Sequence, residues 1–450
     1  MVGGITACWI LSALLPGSAN INLSLGANTN VAQGLFIEMF ATITLVLNVL
    51  MLGAEKHMVT PHAPLGFGLT LFVITLFSIE YTGTGINVAR AFGAATVNGF
   101  QTYHWIYWLG PTLGALLATA FYIFLRKVEY WRINPGQDAT SMEPHPSTAA
   151  LDPTASPGRC LSQICCQGLN RNLAEIAMTV LSNLSRQTGK ALAMKRIDLS
   201  RSSGGLFADI EADLIAMLGE FCGTVMFLLF ALGSVQALNT TSASPAGDYY
   251  YCAGFGLSLF AVSSVFYRFT GSIFNPSVSL ALALTGVIGP VRFVLVAFAQ
   301  MIGGIVAAAL VDGLTPGPLL VGVVLGNGAS RAQGLFIEMF TTAGLTLSVL
   351  MLAAEKHLMT PIAPLGFGFM LFAVMLWSAP FTGGAVNTAR AFGPACIEGF
   401  QSYHWIYWLG PTLGALLAVG MYWVLKKLKY WRITPNQEST DRRDAPMQEV

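Results

Sequence analysis

Long apolar runs separated by short polar connections fill most of this chain. After residue 208, the long runs lie at about 213–237, 251–268, 292–312, 333–353, 362–379 and 403–425. A helix needs roughly 20 apolar residues to cross the hydrocarbon layer of a bilayer, so each run predicts a membrane-spanning helix. Two further runs, at 275–286 and 387–397, are too short to cross, and each begins with an Asn.

The chain contains a partial copy of itself. The octapeptide QGLFIEMF occurs at 33–40 and again at 333–340, and residues 1–136 match residues 301–436 without a gap at the same offset of 300 positions. Self-similarity at a fixed offset indicates a duplicated structural unit. The copy has no counterpart of 210–300, so it begins inside a truncated third span and contains one short run.

The repeat and the local composition divide the chain into four predicted segments. Residues 1–136 form the partial unit, and residues 209–433 form a complete one. Between them, 137–208 is rich in Pro, Ser and Thr and then in basic residues, which predicts a largely disordered linker. Residues 434–450 form a polar C-terminal tail.

Within the complete unit, three long runs and one short run occur twice in succession. An odd number of crossings in each half places the second half upside down in the membrane. The predicted fold class is therefore an all-α membrane protein: an inverted repeat of six transmembrane helices plus two half-helices, preceded by a truncated half-unit.

The basic residues indicate which side of the membrane each connection faces. If residue 210 is cytoplasmic, these basic residues fall on the inner side: Arg268, Arg292, Lys356, Lys426, Lys427, Lys429 and Arg432. That distribution fits the excess of Lys and Arg in cytoplasmic loops. We therefore expect a multi-pass integral membrane protein with a cytoplasmic linker and C-terminus. The plasma membrane is favoured over an internal membrane.

Composition agrees with a membrane protein and argues against several other classes. The chain is 54% hydrophobic and 10% charged, with a mean hydropathy of +0.62. A net charge of +1 gives no basic field for nucleic acid. Cys160, Cys165 and Cys166 lack the further His or Cys that a metal site needs, so we expect no metal or cofactor. No nucleophile beside a base and no phosphate-binding loop occurs, so we expect no enzyme.

The two Asn-led short runs resemble the half-helices of the major intrinsic protein family, the aquaporins and aquaglyceroporins. Their motif residues are Asn275, Pro276 and Ser277, then Asn387, Thr388 and Ala389, with Arg390 directly after the second motif. The family motif is Asn-Pro-Ala, so the second motif here loses the Pro that pre-forms the first helical turn. Glu220 and Glu338 also match, and the resemblance covers 210–433 as a complete unit and 1–136 as its last part.

The resemblance implies a passive transmembrane channel for water. Asn275 and Asn387 would meet at mid-membrane from opposite sides and donate hydrogen bonds to permeating water. Two half-helix N-termini that face each other, each carrying roughly half a positive charge, raise the barrier to protons and cations. Glu220 and Glu338 are expected to be structural carboxylates bonded to irregular backbone. The implied partners are water, small uncharged solutes, the lipid bilayer and three further copies in a homotetramer.

The residues expected at the constriction leave the solute open. Counting from the motifs as in the family, they are Phe255, Met375, Gly384 and Arg390. A water-selective channel has His where Met375 stands, and Gly384 leaves room, so the filter should be wider and less polar. Glycerol, urea and peroxide then become candidates. Against glycerol, Ala391 stands where the glycerol-conducting branch has Asp.

The partial copy repeats the second motif without a partner. Its residues are Asn87, Val88, Ala89 and Arg90. No first half-helix precedes them, so the copy is not expected to form its own pore. Duplication with loss, a joined or truncated gene model, and a half-unit that associates with another chain each explain its presence.

Two other functions are compatible with this pattern. A secondary transporter also uses inverted repeats, but its site should hold more ionisable groups than Glu220, Glu338 and Arg390. A non-conducting membrane protein would fit the altered motifs and the partial copy.

Overall fold

The computed structural model describes residues 1–14, 21–55, 59–134, 209–240 and 247–433. Their α-helices, numbered in chain order, are α1 Val2–Leu14, α2 Val31–Asn48, α3 Ala63–Thr82, α4 Val88–Asn98, α5 Ile106–Lys127, α6 Ile210–Thr240, α7 Gly247–Thr270, α8 Pro276–Leu284, α9 Pro290–Leu314, α10 Arg331–Val349, α11 Ala363–Thr382, α12 Thr388–Glu398 and α13 Ile406–Lys427. The predicted linker 137–208 and tail 434–450 lie outside the described residues.

Six short turns of π or 3-10 helix lie next to these helices, three in each copy. The π-helical turns Val49–Ala54 and Leu350–Ala354 continue α2 and α10, the 3-10 turns Thr60–His62 and Thr360–Ile362 precede α3 and α11, and the 3-10 turns Tyr130–Arg132 and Tyr430–Arg432 follow α5 and α13. The same turns recur at the same offset in both copies, so the repeated sequence produces repeated local structure.

The complete unit has the predicted architecture. Among the described residues, nine helical stretches are long and apolar enough to cross a membrane. Six of them, α6, α7, α9, α10, α11 and α13, belong to the complete unit, and α2, α3 and α5 belong to the copy. At 9 and 11 residues, α8 and α12 are too short to cross a hydrocarbon layer of about 30 Å. The prediction of six spans and two half-helices is confirmed.

Local sequence signals explain where the helices of the second half begin and end. The side chain of Ser330 accepts a hydrogen bond from the backbone N–H of Gln333, and the Gln333 side chain accepts one from the backbone N–H of Ser330. These two bonds cap the start of α10. At its other end, α11 stops at Gly383, whose φ of 71° lies in the left-handed region. The chain then turns back into the molecule toward α12.

Glycines allow the helices to approach closely at two crossings in the complete unit. A Cβ placed on Gly304 of α9 would lie 3.0 Å from the carbonyl carbon of Ala389 in the first turn of α12. A Cβ on Gly414 of α13 would lie 2.8 Å from the Cβ of Thr342 in α10. Small residues let backbones pack closely in a membrane, where dispersion forces between helices replace the hydrophobic effect. These crossings position α12 against its neighbours.

The copy folds like its counterpart and packs against the complete unit. α1 crosses α4 at Gly4 and Ala89, as α9 crosses α12. α2 packs on α5 and α3, and α3 also lies against α6 and α7 of the complete unit. The rings of Phe77 in α3 and Phe230 in α6 meet edge to face, with centroids 5.9 Å apart. One apolar core therefore joins the two units.

The crossing of α9 and α12 should be sensitive to added volume. Gly304→Val places methyl groups into the α12 backbone, so we expect the free energy of unfolding to fall by about 1–3 kcal/mol, the usual cost of overpacking. The measurement is the thermal unfolding midpoint of the purified full chain in mild detergent. Gly313→Val, on the same helix with nothing within 4 Å of the added Cβ, is the matched control. Equal midpoints for both variants would contradict the close crossing.

Candidate functional site

The two half-helices of the complete unit meet end to end at their N-termini. Asn275 caps α8 by accepting a hydrogen bond from the N–H of Ser277, and Asn387 caps α12 by accepting one from Ala389. Each cap orients its side-chain amide with the oxygen toward its own helix. The nitrogen of each amide is thereby directed toward the opposing motif.

The side chains of the two Asn residues bond reciprocally across the centre. Nδ2 of Asn275 donates to the carbonyl oxygen of Val386 at 2.9 Å. Nδ2 of Asn387 donates to the carbonyl oxygen of Phe274 at 2.7 Å. Both Asn side chains are buried. An amide nitrogen carries two N–H donors, so each Asn retains one donor beyond this bond.

The two departures from the family motif lie beside each other. Ser277 is the second residue of α8 and Thr388 is the first residue of α12, and their hydroxyl oxygens are 3.4 Å apart. The sequence shows that both positions differ from the Asn-Pro-Ala motif, but it does not predict that their side chains contact each other. The hydroxyl contact joins the two half-helix ends where the second motif lacks a Pro.

A buried carboxylate holds the irregular backbone before the first motif. The Oε1 atom of Glu220 accepts hydrogen bonds from the Thr270 hydroxyl at 2.5 Å and from the N–H of Ile273 at 3.1 Å. Its Oε2 atom accepts from the N–H of Phe274 and from the side chain of Gln300, both at 2.8 Å. Four donors therefore saturate this carboxylate.

Glu338 makes a similar set of contacts before the second motif, with three donors and, among the described residues, no counterpart of Gln300. Its Oε1 atom accepts from the Thr382 hydroxyl at 2.6 Å and from the N–H of Ala385 at 2.9 Å. Its Oε2 atom accepts from the N–H of Val386 at 2.6 Å. Backbone that leaves a helix at membrane depth needs such partners, because no lipid group supplies them.

The residue before each Asn adopts a conformation that side chains disfavour. Phe274 has a φ of 46° and Val386 a φ of 53°. For a β-branched residue such as Val386, this left-handed conformation costs free energy and persists only where surrounding contacts enforce it. The carboxylate bonds to both N–H groups supply that enforcement, and the turn aims each carbonyl at the opposing Asn.

Arg390, the third residue of α12, is buried at one end of this site. Its Nη1 atom donates to the carbonyl oxygen of Val321 at 2.9 Å, and its Nη2 atom donates to the Tyr251 hydroxyl at 2.8 Å and to the carbonyl oxygen of Gly383 at 3.3 Å. The guanidinium carbon lies 5.0 Å from the centre of the Phe255 ring. Among the described residues, no carboxylate pairs with it and its Nε has no hydrogen-bond partner.

The predicted constriction residues come together in space, with one difference in shape. A Cβ on Gly384 would lie 2.6 Å from Sδ and 2.7 Å from Cε of Met375. The sequence predicts open room at Gly384, whereas the Met375 thioether occupies the space opposite it. Met is a flexible side chain that can adopt other rotamers, so this wall of the site is apolar and adaptable.

Sequence reasoning missed Tyr251. Its ring stacks on Phe255 with centroids 5.4 Å apart, and its hydroxyl donates to the carbonyl oxygen of Gly383 at 2.7 Å while accepting from Arg390. Tyr251 precedes Phe255 by four residues, and side chains at that spacing share one face of a helix. The available signal was therefore a hydrogen-bonding group one turn from the predicted Phe255.

The same motif in the copy has the same local structure but different surroundings. Asn87 caps α4 by accepting from the N–H of Ala89, and Glu38 accepts hydrogen bonds from the loop before it. Val88, the first residue of α4, is partly buried. Asn87 and Arg90, however, are exposed, whereas their counterparts in the complete unit are buried.

Positive charge comes to the site from the facing helix ends and from Arg390. Two helix N-termini face each other, each equivalent to roughly half a positive charge, and an unpaired guanidinium lies at one end. Across the described parts of the chain, no cluster of three or more His, Cys, Asp or Glu side chains could hold a metal ion. Neutral hydrogen-bonding molecules suit such a surface better than cations do.

Comparisons with known proteins identify the family. The sequence model of the family described as "Major intrinsic protein" matches residues 1–122 and 209–422. A protein named Aquaporin-1 from Laccaria bicolor is 50% identical over 254 residues, which cover 54% of this chain and 82% of that protein. Aquaporin-2 from Botryotinia fuckeliana is 48% identical over 244 residues, covering 52% of this chain and 65% of that protein.

One solved structure also overlaps, the X-ray structure of the aquaglyceroporin from Plasmodium falciparum. It has a TM-score of 0.43 and 22% identity, covering 47% of this chain and 95% of that one. The family match spans well over half of the chain and includes both the partial and the complete unit. On that match and the identity to the Laccaria protein, this chain belongs to the major intrinsic protein family.

Proposed function

We propose that residues 209–433 form a passive pore that conducts water and small neutral solutes through a membrane. The observation that carries the proposal is the reciprocal bonding of Asn275 and Asn387 at the facing ends of two half-helices. Relatives named aquaporins support the same activity. The two motifs deviate from the family pattern, yet both caps and both cross-bonds are present.

Each Asn amide would present one N–H donor to a permeating molecule. The other N–H is bound to a carbonyl of the opposing motif, and the oxygen is held by the cap, so the amide cannot rotate to offer its acceptor. A water molecule at this point then uses its oxygen as acceptor toward the Asn side chains. Together with the two helix dipoles, this disfavours a proton or cation at the centre.

The constriction combines one polar wall with one apolar wall. In this proposal Arg390 supplies the polar wall through its guanidinium, which no carboxylate neutralises among the described residues and whose Nε–H is buried without a protein partner. Phe255 and Met375 supply the apolar wall. A small polyol or amide, with hydroxyl or N–H groups on one side and carbon on the other, fits such a surface as well as water does. We therefore propose glycerol, urea and peroxide as further solutes.

The hydrogen bonding of the carboxylates favours a channel over a proton-coupled transporter. Glu220 and Glu338 are fully buried, and backbone and side-chain donors occupy both oxygens of each. Protonation of either would break bonds that hold the motif loops. Their proposed role is structural. We further propose the plasma membrane as the location, with the linker and the C-terminus in the cytoplasm.

Water conduction should depend on Asn387 and not on its counterpart in the copy. Asn387→Asp replaces the donor to Phe274 with a carboxylate that faces a carbonyl oxygen, so we expect osmotic water permeability to fall at least about tenfold, equivalent to about 1.4 kcal/mol in the barrier. The measurement is the shrinkage rate of vesicles carrying the purified chain after addition of sucrose. Asn87→Asp, on the exposed equivalent, should leave the rate unchanged.

Two results would contradict this assignment. A wild-type rate no faster than that of protein-free vesicles would rule out water conduction and favour a non-conducting protein. Equal rates for wild type and Asn387→Asp would show that water does not pass the two Asn side chains. A rate that requires an ion gradient would instead indicate a transporter.

The solute range should depend on Met375. Wild-type vesicles placed in glycerol are expected to shrink and then reswell as glycerol enters. Met375→His adds a polar ring at the apolar wall, so we expect glycerol entry to slow by about tenfold relative to water, again about 1.4 kcal/mol in the barrier. Thr75→His in the copy is the control and should leave both rates unchanged. No glycerol entry in the wild type, or an unchanged glycerol-to-water ratio in Met375→His, would contradict the proposed filter.

A further inference from the structure

The copy covers one outer face of the complete unit. The face of α3 formed by Val73, Ile74 and Phe77 is completely buried, and α3 packs against α6 and α7. Gly233 of α6 makes room for the Phe77 ring, since a Cβ there would lie 2.5 Å from Cδ2 of Phe77. We call this covered surface of α6 and α7 the docking face.

Hydrogen bonds reinforce this packing along the length of the helices. Nδ2 of Asn48 donates to the carbonyl oxygen of Ala261 in α7 at 2.9 Å, and this bond is fully buried. The hydroxyl of Tyr81 lies 3.2 Å from that of Thr240 at the end of α6. Tyr250 of α7 donates to the carbonyl oxygen of Leu76. Interhelical hydrogen bonds and close packing are what stabilise helix association in a membrane.

Contacts also join the two units at the opposite ends of these helices. Arg292 of α9 donates to the carbonyl oxygen of Ile133 at 3.3 Å, and Arg268 of α7 donates to the hydroxyl of Tyr130 at 3.4 Å. The interface therefore extends from one end of the spans to the other.

The complete unit carries the same helix pair with its outer face uncovered. α10 and α11 repeat α2 and α3 at the offset of 300, so Ala373 and Trp377 correspond to Val73 and Phe77. Ala373 is exposed, and Trp377 is 46% exposed. Since it derives from the same repeated sequence, this face of α11 is the surface of a second chain that would compete for the docking face. In every chain, however, the docking face is already covered by α3.

Sequence differences between the copies favour binding of α2 and α3 to the docking face over binding of α10 and α11 from a second chain. Ser348 stands where the copy has Asn48, and its hydroxyl donates back to Leu345 of its own helix. Phe381 stands where the copy has Tyr81 and has no hydroxyl to offer. The helix pair α10 and α11 would therefore dock without the two side-chain hydrogen bonds that α2 and α3 make.

We propose that α2 and α3 occupy the docking face of their own chain and thereby prevent a second chain from binding there through α10 and α11. A tethered segment also competes at a higher local concentration than a separate chain. A homotetramer, which the family resemblance implies, would repeat one contact between neighbouring chains around a ring. If that contact were α10 and α11 on the docking face, the ring could not form, because the docking face of every chain is covered. The proposal does not depend on which solute the pore conducts.

Site-specific photocrosslinking in the full-length chain tests the proposal. Phe77→benzoylphenylalanine and Trp377→benzoylphenylalanine are matched variants at the same offset. Each is produced together with an unmodified full-length chain carrying a second tag, irradiated in the membrane and analysed by denaturing gel and peptide mapping. We expect position 77 to crosslink to α6 of its own chain. Position 377 should crosslink to α6 of the second-tag chain with a yield about tenfold lower than that of the crosslink from position 77, because α2 and α3 of that chain already occupy the docking face.

Three outcomes would overturn the proposal. They are a crosslink from 377 to α6 of the second-tag chain as strong as the one from 77, a crosslink from 77 to α6 of the second-tag chain, and no crosslink from 77 to α6 at all. If either variant does not accumulate, Val73 and Ala373 provide a second matched pair, for which the same three outcomes apply.

Discussion

Backbone that leaves its helix in the middle of a membrane must find hydrogen-bond partners inside the protein, and the rest of the site depends on how this chain meets that constraint. The two loops before α8 and α12 have no lipid or bulk water to bond. Glu220 binds the N–H groups of Ile273 and Phe274, and Glu338 binds those of Ala385 and Val386. Charged acceptors make stronger bonds than neutral ones, so two side chains fix both loops.

The fixed loops determine where the Asn side chains and carbonyls point. Phe274 and Val386 are held with positive φ, which turns each carbonyl toward the opposite Asn. This explains why the departures from the family motif leave the geometry intact. The caps and the loop contacts use the Asn side chains, the carboxylates and backbone N–H groups. The side chains of Ser277 and Thr388 take part in none of these bonds, so changing them leaves the bonds in place.

The copy separates local from long-range effects within one chain. Asn87 caps α4, Glu38 holds the preceding loop, and α1 crosses α4 as α9 crosses α12. Local structure therefore follows the repeated sequence. The surroundings do not, because the copy lacks counterparts of α6, α7 and α8. Asn87 and Arg90 are exposed as a result. One face of α3 is buried against the complete unit, whereas the corresponding face of α11 is exposed.

The sequence by itself determined the spans, the two half-helices and the capping Asn residues, because run length and local hydrogen bonding act over a few residues. The family resemblance added that Glu220 and Glu338 would serve the irregular backbone. Only the tertiary structure decided the bond between Tyr251 and Arg390, the filling of the space at Gly384 by Met375, and the packing of α3 on α6 and α7. The first and the last of these contacts join segments far apart in the chain, whose side chains meet only after the helices have packed. Met375 and Gly384 are close in sequence, but they meet only because the chain turns back at Gly383.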